Sequence, residues 1–476
     1  MARRCFFLRR YGTITPVMSE GTRLDHITRD RREKLAELRA TGHTPFPAAT
    51  NRTGTIAHAR EQLGRMFTIA GRIRAIREHG KSVFFDISDE TGMMQAYCKA
   101  DVLGDQFAQL KLIDPGDCVA ASGEVGETKS GEPTVFVQSY RVLAKAVRPL
   151  PRSWQELENV EERFRRRYLD LLSNAEVLTR FRQRSAIIHA IRSYYVELGF
   201  LEVDTPILQP IPGGASARPF TTQYHAYDTE VYLRVAPELY LKRLLVGGFE
   251  RVFEFARCFR NEGADQTHNP EFTQIEIYAA YWDYEDMMAS LETLIRRIVH
   301  EVFGTDRLTL NGHDIDFSLP FTRQTFLEVS GGGRDDASFK AGVRRIIQPT
   351  FVTNHPAELI PLAKRRADDP TSVESFQLVI AGIELAKGYS ELNDHEEQRE
   401  RFLEQEQERS EGNEEAQRID TDFIEALEYG MPPAAGLGIG IDRLVTVLTG
   451  AASLREAMLF PYMKPRHGDN DEVNHA

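Results

Sequence analysis

Around Leu150-Pro151-Arg152 the pattern of the chain changes, and the two sides of this point require different architectures. Before it lie short, partly alternating runs rich in β-branched and aromatic residues, at 67–76, 83–87, 93–98, 118–125 and 134–143. Turn-forming clusters at 78–81, 89–92 and 129–133 separate several of them. Beyond it, helical patterns at 176–198 and 284–303 alternate with strand-like runs at 231–235, 252–255, 272–278, 376–380 and 437–439. A charged amphipathic helix at 27–38, closed by Gly42 and Pro45, precedes the first strand.

Five short strands with one helical stretch, at 101–112, point to a small Greek-key barrel of the OB type, which binds single-stranded nucleic acid or sugars on one face. On pattern alone, another small barrel fits nearly as well. The expected division is a basic extension and helix at 1–45, the barrel at 46–149 and a large mixed domain at 150–476. The fold class is α+β.

Charge is distributed unevenly. Residues 1–77 carry 16 Lys/Arg against 6 Asp/Glu, whereas 394–428 carry 4 against 14, within an overall net charge of −12. The acidic overall balance excludes a wholly basic nucleic-acid sleeve but leaves room for a locally basic face. The acidic stretch has helical spacing and reads as a solvated helix. Four scattered cysteines, Cys5, Cys98, Cys118 and Cys258, form neither a disulfide framework nor a zinc spacing and suit a reducing compartment. No run approaches the roughly 20 apolar residues of a membrane span. The first 19 residues hold four Arg and no acid, as an organelle-targeting segment would, although an upstream extension ahead of a start at Met18 accounts for them equally well. The expected location is otherwise the cytoplasm.

Three separated blocks carry the chemistry. Residues 199–206, GFLEVDTP, read as a helix-to-strand turn that ends in a proline. The second block runs from Arg251 through Cys258-Phe259-Arg260-Asn261-Glu262 to His268-Asn269-Pro270-Glu271-Phe272. Here a strand delivers an arginine fork suited to phosphate or carboxylate, and a returning strand offers an aromatic face to a base. By themselves these residues fit a hairpin with surface ion pairs equally well. In the third block, Gly436-Leu437-Gly438-Ile439-Gly440-Ile441-Asp442-Arg443, alternating glycines let a strand approach a flat ligand, and Arg443 opens the next helix. It is not a Rossmann fingerprint, because the spacing is G-x-G-x-G and no βαβ unit follows.

In this order the three blocks resemble motifs 1, 2 and 3 of the class II aminoacyl-tRNA synthetases. The segments 212–220 (PGGASARPF), 236–242 (APELYLK), 259–263 (FRNEG) and 389–394 (YSELND) narrow the resemblance to the lysyl-tRNA synthetase family, over about residues 38–465. That resemblance implies an antiparallel sheet flanked by helices that joins lysine to ATP and then to the tRNA 3′ end for protein synthesis, an anticodon-reading barrel, and a homodimer through motif 1. It implies that Arg260 bridges the α-phosphate and the substrate carboxylate, and that Glu262, His268 and Phe272 frame the nucleotide, with adenine between Phe272 and Arg443. Gly214 and Glu238 would take the α-ammonium of lysine. Glu276, Tyr278 and Glu391 would meet the ε-ammonium, with Tyr389 along the alkyl stem. In the barrel, Phe84, Gln95 and Glu132 match anticodon contacts, and Arg29, Arg31, Arg32, Lys34, Arg72, Arg74 and Arg77 could flank the stem.

The chain departs from the family pattern in three places. Of two carboxylates expected to hold Mg2+ against ATP, Glu384 is present, but the other position is Gln377, a neutral amide with a weaker claim on a hard cation. Lys387 stands where the family has an asparagine. The connection through Gly331-Gly332-Gly333 is short, which bears on acceptor-stem contacts. A ligase for aspartate or asparagine, a catalytically weakened RNA-binding paralogue and a lysyl ligase with a protein acceptor are the alternatives. The first conflicts with the anionic Glu276 and Glu391, and the last with the presence of a barrel.

Overall fold

The computed structural model describes residues 20–151, 159–263, 265 and 268–466, with side chains from residue 23 onward; the start at Met18 and the arginines before it lie outside these residues. The chain divides between residues 153 and 154 into two compact units. The first is a closed barrel of β1 (Met66–His79), β2 (Ser82–Asp89), β3 (Gly92–Lys99), β4 (Cys118–Glu127) and β5 (Pro133–Ala144), in the order β1-β2-β3-β5-β4. Alternation along these strands sends Val83, Phe85 and Ile87 inward together with Val135 and Val137, while Phe84 and Gln95 remain half-buried on the outside. The helical stretch at 101–112 breaks into two short helices and a 3-10 turn. Gly104, at φ 54°, ends the first helix and starts the second.

The helix Glu20–Ala40 belongs to this unit, and several of its cations and of those on β1 have partners within the protein. Arg31 is buried and donates to the carbonyls of Ala146 and Arg148. Lys34 pairs with Asp114 at 2.9 Å, Arg72 donates to the Gly116 carbonyl at 2.6 Å, and Arg77 grips Asp86 with both terminal nitrogens. Arg29 contacts His26. Of the seven cations expected to flank an RNA stem, Arg32 and Arg74 are exposed and without an ion pair among the described residues. The remaining positive charge in this set is largely spent on fixing the barrel.

In the second unit the strands are β6 (Leu201–Glu202), β7 (Leu208–Gln209), β8 (Phe220–Tyr224), β9 (Thr229–Leu233), β10 (Arg251–Phe259), β11 (Glu271–Ala280), β12 (Arg307–Leu310), β13 (His313–Asp316), β14 (Thr322–Thr325), β15 (Thr350–Thr353), β16 (Ser375–Ile380), β17 (Ile383–Ser390) and β18 (Ala434–Gly440). Eight of these form a sheet in the order β14-β15-β16-β17-β18-β11-β10-β6, antiparallel except at its two ends. Two long helices, Ala175–Glu197 and Tyr284–Phe303, cover one face. Asn174 caps the first, and a reciprocal Asp283/Asp286 capping box starts the second. Leu291, Leu294, Ile295 and Ile298 of the second helix are fully buried against Phe253, Ile275 and Ile277 of the sheet. Each such side chain contributes about 1.5–3 kcal/mol by leaving water. The other face is covered in part, by Leu239, Leu245, Phe402 and Phe423 packed with Val252 and Tyr278, and the part left uncovered is available to a ligand.

The acidic stretch is helical at His395–Ser410, but it is not wholly solvated. Gln398, Arg401, Phe402 and Gln405 are buried, and Arg401 donates to the Ala363 carbonyl at 2.8 Å. A stripe at i, i+3, i+4 and i+7 therefore packs inward while the carboxylates face water.

Candidate active site

The alternating glycines of β18 make a trough in the open face of the sheet. In register, Glu276 of β11, Gly438 of β18, Lys387 of β17 and Gln377 of β16 form one row. The next parallel row on that face is Tyr278, Gly436, Tyr389 and Ser375. Directly opposed residues share a face, so the glycines remove the middle side chain from each row and leave the flanking ones as walls. At Gly436 the clearance is tight: a Cβ there would lie 2.1 Å from Glu391 Oε1 and 2.5 Å from Tyr278 Cε1.

The trough opens into a cavity of about 430 Å3. Gly214, Glu238, Arg260, Glu262, His268, Phe272, Glu276, Tyr278, Gln377, Glu384, Tyr389 and Arg443, which the family resemblance implies for substrate or metal, all line this one cavity. Glu391 lies just beneath, 1 % exposed, in contact with the Lys242 ammonium. Lys242 also donates to Glu238 Oε1 at 2.7 Å, an oxygen that accepts a second bond from the Tyr389 hydroxyl at 2.7 Å. Glu276 accepts from Gln274 at 2.6 Å and from Tyr278 at 3.0 Å.

This end of the cavity holds three buried carboxylates, Glu238, Glu276 and Glu391, against one buried ammonium, Lys242. Burial, then the Glu238 charge, raises the Glu276 carboxyl well above its ordinary range. Burial likewise pushes Glu391 up to about 8, against the pull of Lys242. Lys242 itself is held above its usual value because its two carboxylates outweigh the cost of burial. With all four groups ionised the charge is −2, the complement of a ligand with two ammonium groups.

The other end is cationic. Arg260 leaves β10 with its guanidinium 5.0 Å from the Phe272 ring centre, its buried Nε without a hydrogen-bonding partner. Arg443 reaches to 3.5 Å from His268 Nε2. Asp442 holds this end together: it accepts from the Thr273 amide at 2.8 Å and pairs with Arg184 of the long helix at 2.7 Å. Phe272 and Arg443, on neighbouring elements, can take opposite faces of a purine. The Mg2+ expected here meets a poor donor set. Glu384 is the one carboxylate of the expected pair, Gln377 offers a neutral oxygen, and Lys387 opposite it is a cation. Among the described residues no cluster of three or more His, Cys, Asp or Glu side chains is arranged to hold a metal.

On the barrel, Phe84 stacks on Tyr97 with ring centres 4.5 Å apart and planes within 10°. The register puts Phe84 and Gln95 on one face, and Gln95 accepts from Thr134, whose hydroxyl also donates to the Glu132 carbonyl, so Glu132 is close by. Sequence reasoning did not single out Tyr97, Lys242, Gln417 or the anchoring part of Asp442. Lys242 had a signal, four residues after Glu238 on one helix, and so had Tyr97, paired opposite Phe84. Gln417, which accepts from the Gly214 amide at 3.2 Å, had none.

Residues 159–464 match the family of class II tRNA synthetases (D, K and N), and 67–143 match the OB-fold nucleic acid binding domain of the tRNA anticodon family. Over 93% of its length the chain is 46% identical to a lysine–tRNA ligase of Pelotomaculum thermopropionicum, covering 96% of that protein. It is 45% identical to that of Carboxydothermus hydrogenoformans, over 94% of the chain and all of the relative. The Thermotoga maritima enzyme of the same name is 41% identical over 94% of the chain and 98% of its own length. With these matches spanning both the barrel and the glycine-lined trough, the chain belongs to the class II tRNA synthetases, in the lysine–tRNA ligase family.

Proposed function

We propose that this chain activates lysine with ATP to lysyl-adenylate and transfers it to the 3′ end of lysine tRNA. The observation that carries the reading is the buried cluster of Glu238, Glu276, Glu391 and Lys242, whose charge is −2 once its carboxyls are ionised, at one end of a trough whose other end is cationic. Lysine brings two ammonium groups to the first end and presents its carboxylate to the second. A neutral or acidic amino acid would leave buried carboxylates unmatched, at a cost of several kcal/mol. Glu276 and Glu391 thus select the ε-ammonium, Gly214 and Glu238 the α-ammonium, and Tyr278 and Tyr389 the alkyl stem.

In the first step a carboxylate oxygen of lysine attacks the α-phosphorus, and the bond to the β-phosphate oxygen breaks. Pyrophosphate leaves with the electron pair. No proton moves and nothing is oxidised, so the protein's task is to align two anions and neutralise them. Arg260 does this at the junction, with Glu262, His268, Phe272 and Arg443 holding the nucleotide. Mg2+ enters with ATP as the counter-ion of its phosphates, and no step is assigned to a metal held by the protein.

The barrel, with Phe84, Gln95 and Glu132, reads the anticodon, and the division 1–45, 46–149 and 150–476 follows these roles. A homodimer is supported by exposed Val196, Leu201, Ile207 and Leu208 around the two-residue edge strand β6. Among the described residues no helix is long and apolar enough to cross a membrane, and Cys98, Cys118 and Cys258 are free thiols, which suits a role in the cytoplasm.

Lysine-dependent ATP/pyrophosphate exchange, followed by transfer of labelled lysine to tRNA, tests the reading. Both are expected. Absence of exchange would favour an RNA-binding paralogue, and exchange without charging a different acceptor.

A further inference from the structure

Lys387 occupies an unusual place for an ammonium group. It lies in the row that runs across the trough, two strand spacings or about 9–10 Å from Glu276, with only Gly438 between them. It lines the cavity together with Arg260 and Glu384, yet it makes no hydrogen bond or ion pair among the described residues. Directly opposite is Gln377, 8 % exposed, a neutral amide. Behind Gln377, His355 is 2 % exposed and is fixed through Nδ1 by the Ser375 hydroxyl at 2.9 Å. Burial, and then the charge of Lys387, push this imidazole down to about 3, so it adds neither positive charge nor an anionic donor. A divalent cation placed here would have one carboxylate, a neutral amide and a facing ammonium, which is the wrong set for a hard metal. An unpaired ammonium that is half-buried is itself costly, and a ligand anion removes that cost.

On the reading given in the preceding subsection, we propose that Lys387 is a catalytic residue: its ammonium, in place of a metal ion held by the protein, meets the lysine carboxylate and the ATP α-phosphate opposite Arg260. The position follows from the row. A lysine whose ε-ammonium sits at Glu276 and whose stem crosses the trough over Gly438 brings its carboxylate toward Lys387. Arg260 then flanks the junction from β10, and Lys387 flanks it from β17. As the new O–P bond forms and the bond to pyrophosphate breaks, negative charge collects on the non-bridging α-phosphate oxygens, between two fixed cations. Gln377 fits this arrangement because a carboxylate there would draw the ammonium away from the substrate. The two departures from the family pattern are thus one change.

Lys387→Met separates this role from a structural one. In wild-type protein, lysine-dependent exchange must first be present; its absence would sink the functional reading and leave the inference without an enzyme. Given exchange, the substitution should lower kcat by about 100-fold or more, the scale of losing one preorganised charge donor, while the melting temperature stays or rises because an unpaired, half-buried charge is gone. A kcat within threefold of wild type, or a fall in melting temperature with kcat per folded molecule unchanged, would overturn the proposal. A second measurement does not depend on that variant folding. Mn2+ titrated by electron paramagnetic resonance into wild-type protein with α,β-methylene ATP and lysine should bind only as the ion of the nucleotide. The double variant Gln377→Glu/Lys387→Asn should hold a further ion. A further tightly held ion in wild type would show that the protein keeps a metal there, and the inference would be abandoned.

Discussion

At the scale of single residues, the lysine end of the trough depends on what is missing at Gly436 as much as on what is present. A methyl group there would press on Glu391 and Tyr278 together, so Gly436→Ala must displace one of the groups assigned to the ε-ammonium. Overpacking of this kind costs about 1–3 kcal/mol, and if the cost falls on the bound state, KM for lysine rises about 5- to 150-fold. KM for ATP should change far less, since the nucleotide residues lie at the other end; steady-state exchange kinetics with each substrate varied would tell. The carboxyl groups make a separate prediction about protons. Glu391 is raised to about 8 in the free protein and Glu276 is raised with it, so between about pH 4.5 and 8 the empty site holds protons that a bound ammonium expels. Lysine binding should release protons in this window and tighten as the pH rises toward 8. Calorimetry at pH 7 in two buffers of different ionisation enthalpy would record this, and equal enthalpies would count against it. The sign for folding is opposite. A carboxyl raised on folding stabilises the free protein fully below its unfolded value, and that contribution is lost as the pH rises through 8. The gain in melting temperature with saturating lysine should therefore be larger at pH 8 than at pH 6.

At the scale of elements, the junction between β18 and the helix Ile441–Leu448 ties three parts of the second unit to one carboxylate. Asp442 is 2 % exposed and joins that helix to the β11 backbone and to Arg184 on Ala175–Glu197. Asp442→Ala should cost about 3–5 kcal/mol, because it strands the Arg184 charge and frees the Thr273 amide. It should also raise KM for ATP, since Arg443 loses its anchor; urea unfolding and exchange kinetics check the two effects. The glycines of β18 show how much of such an element can be read in advance. Their alternation already indicates a strand that comes close to a ligand. The registers that set Lys387 and Glu276 on either side of Gly438 are long-range pairings and have no local signal. The long helices were legible because their apolar spacing runs over many turns, with an Asp283 cap before one and Gly304 after it. Two-residue strands such as β6 and β7 exist only through their partners, and no periodicity announces them. The basic N-terminal region is hard to read for a related reason: charge is visible in a sequence, but whether Arg31 of the helix or Arg72 of β1 faces RNA or a carbonyl oxygen is decided by packing.

At the scale of the whole molecule, the barrel and the synthetase unit each have their own hydrophobic core, so a substitution in one should leave the chemistry of the other measurable. Phe84 is the residue with which to test this. It is half-buried on the outside of the barrel, stacked on Tyr97, and absent from the barrel core. A ring outside the core and only half-buried can offer its remaining surface to an unstacked base. Phe84→Ala should weaken tRNA binding by about 1–3 kcal/mol, the worth of one base stacked on an aromatic ring. Lysine-dependent exchange without tRNA should be unchanged. Exposed Arg74 supplies the contrasting case, because an ion pair with phosphate carries no sequence information. Arg74→Ala should weaken binding of all tRNAs alike and flatten the dependence of log Kd on log salt by about 0.7–0.9 for each phosphate that the side chain neutralises. Phe84→Ala should keep the wild-type slope and lose discrimination between lysine tRNA and other tRNAs. If the two variants behave identically in salt titrations with cognate and non-cognate tRNA, the barrel binds RNA by charge alone, and the anticodon assignment of Phe84 fails while the lysine chemistry of the other unit stands.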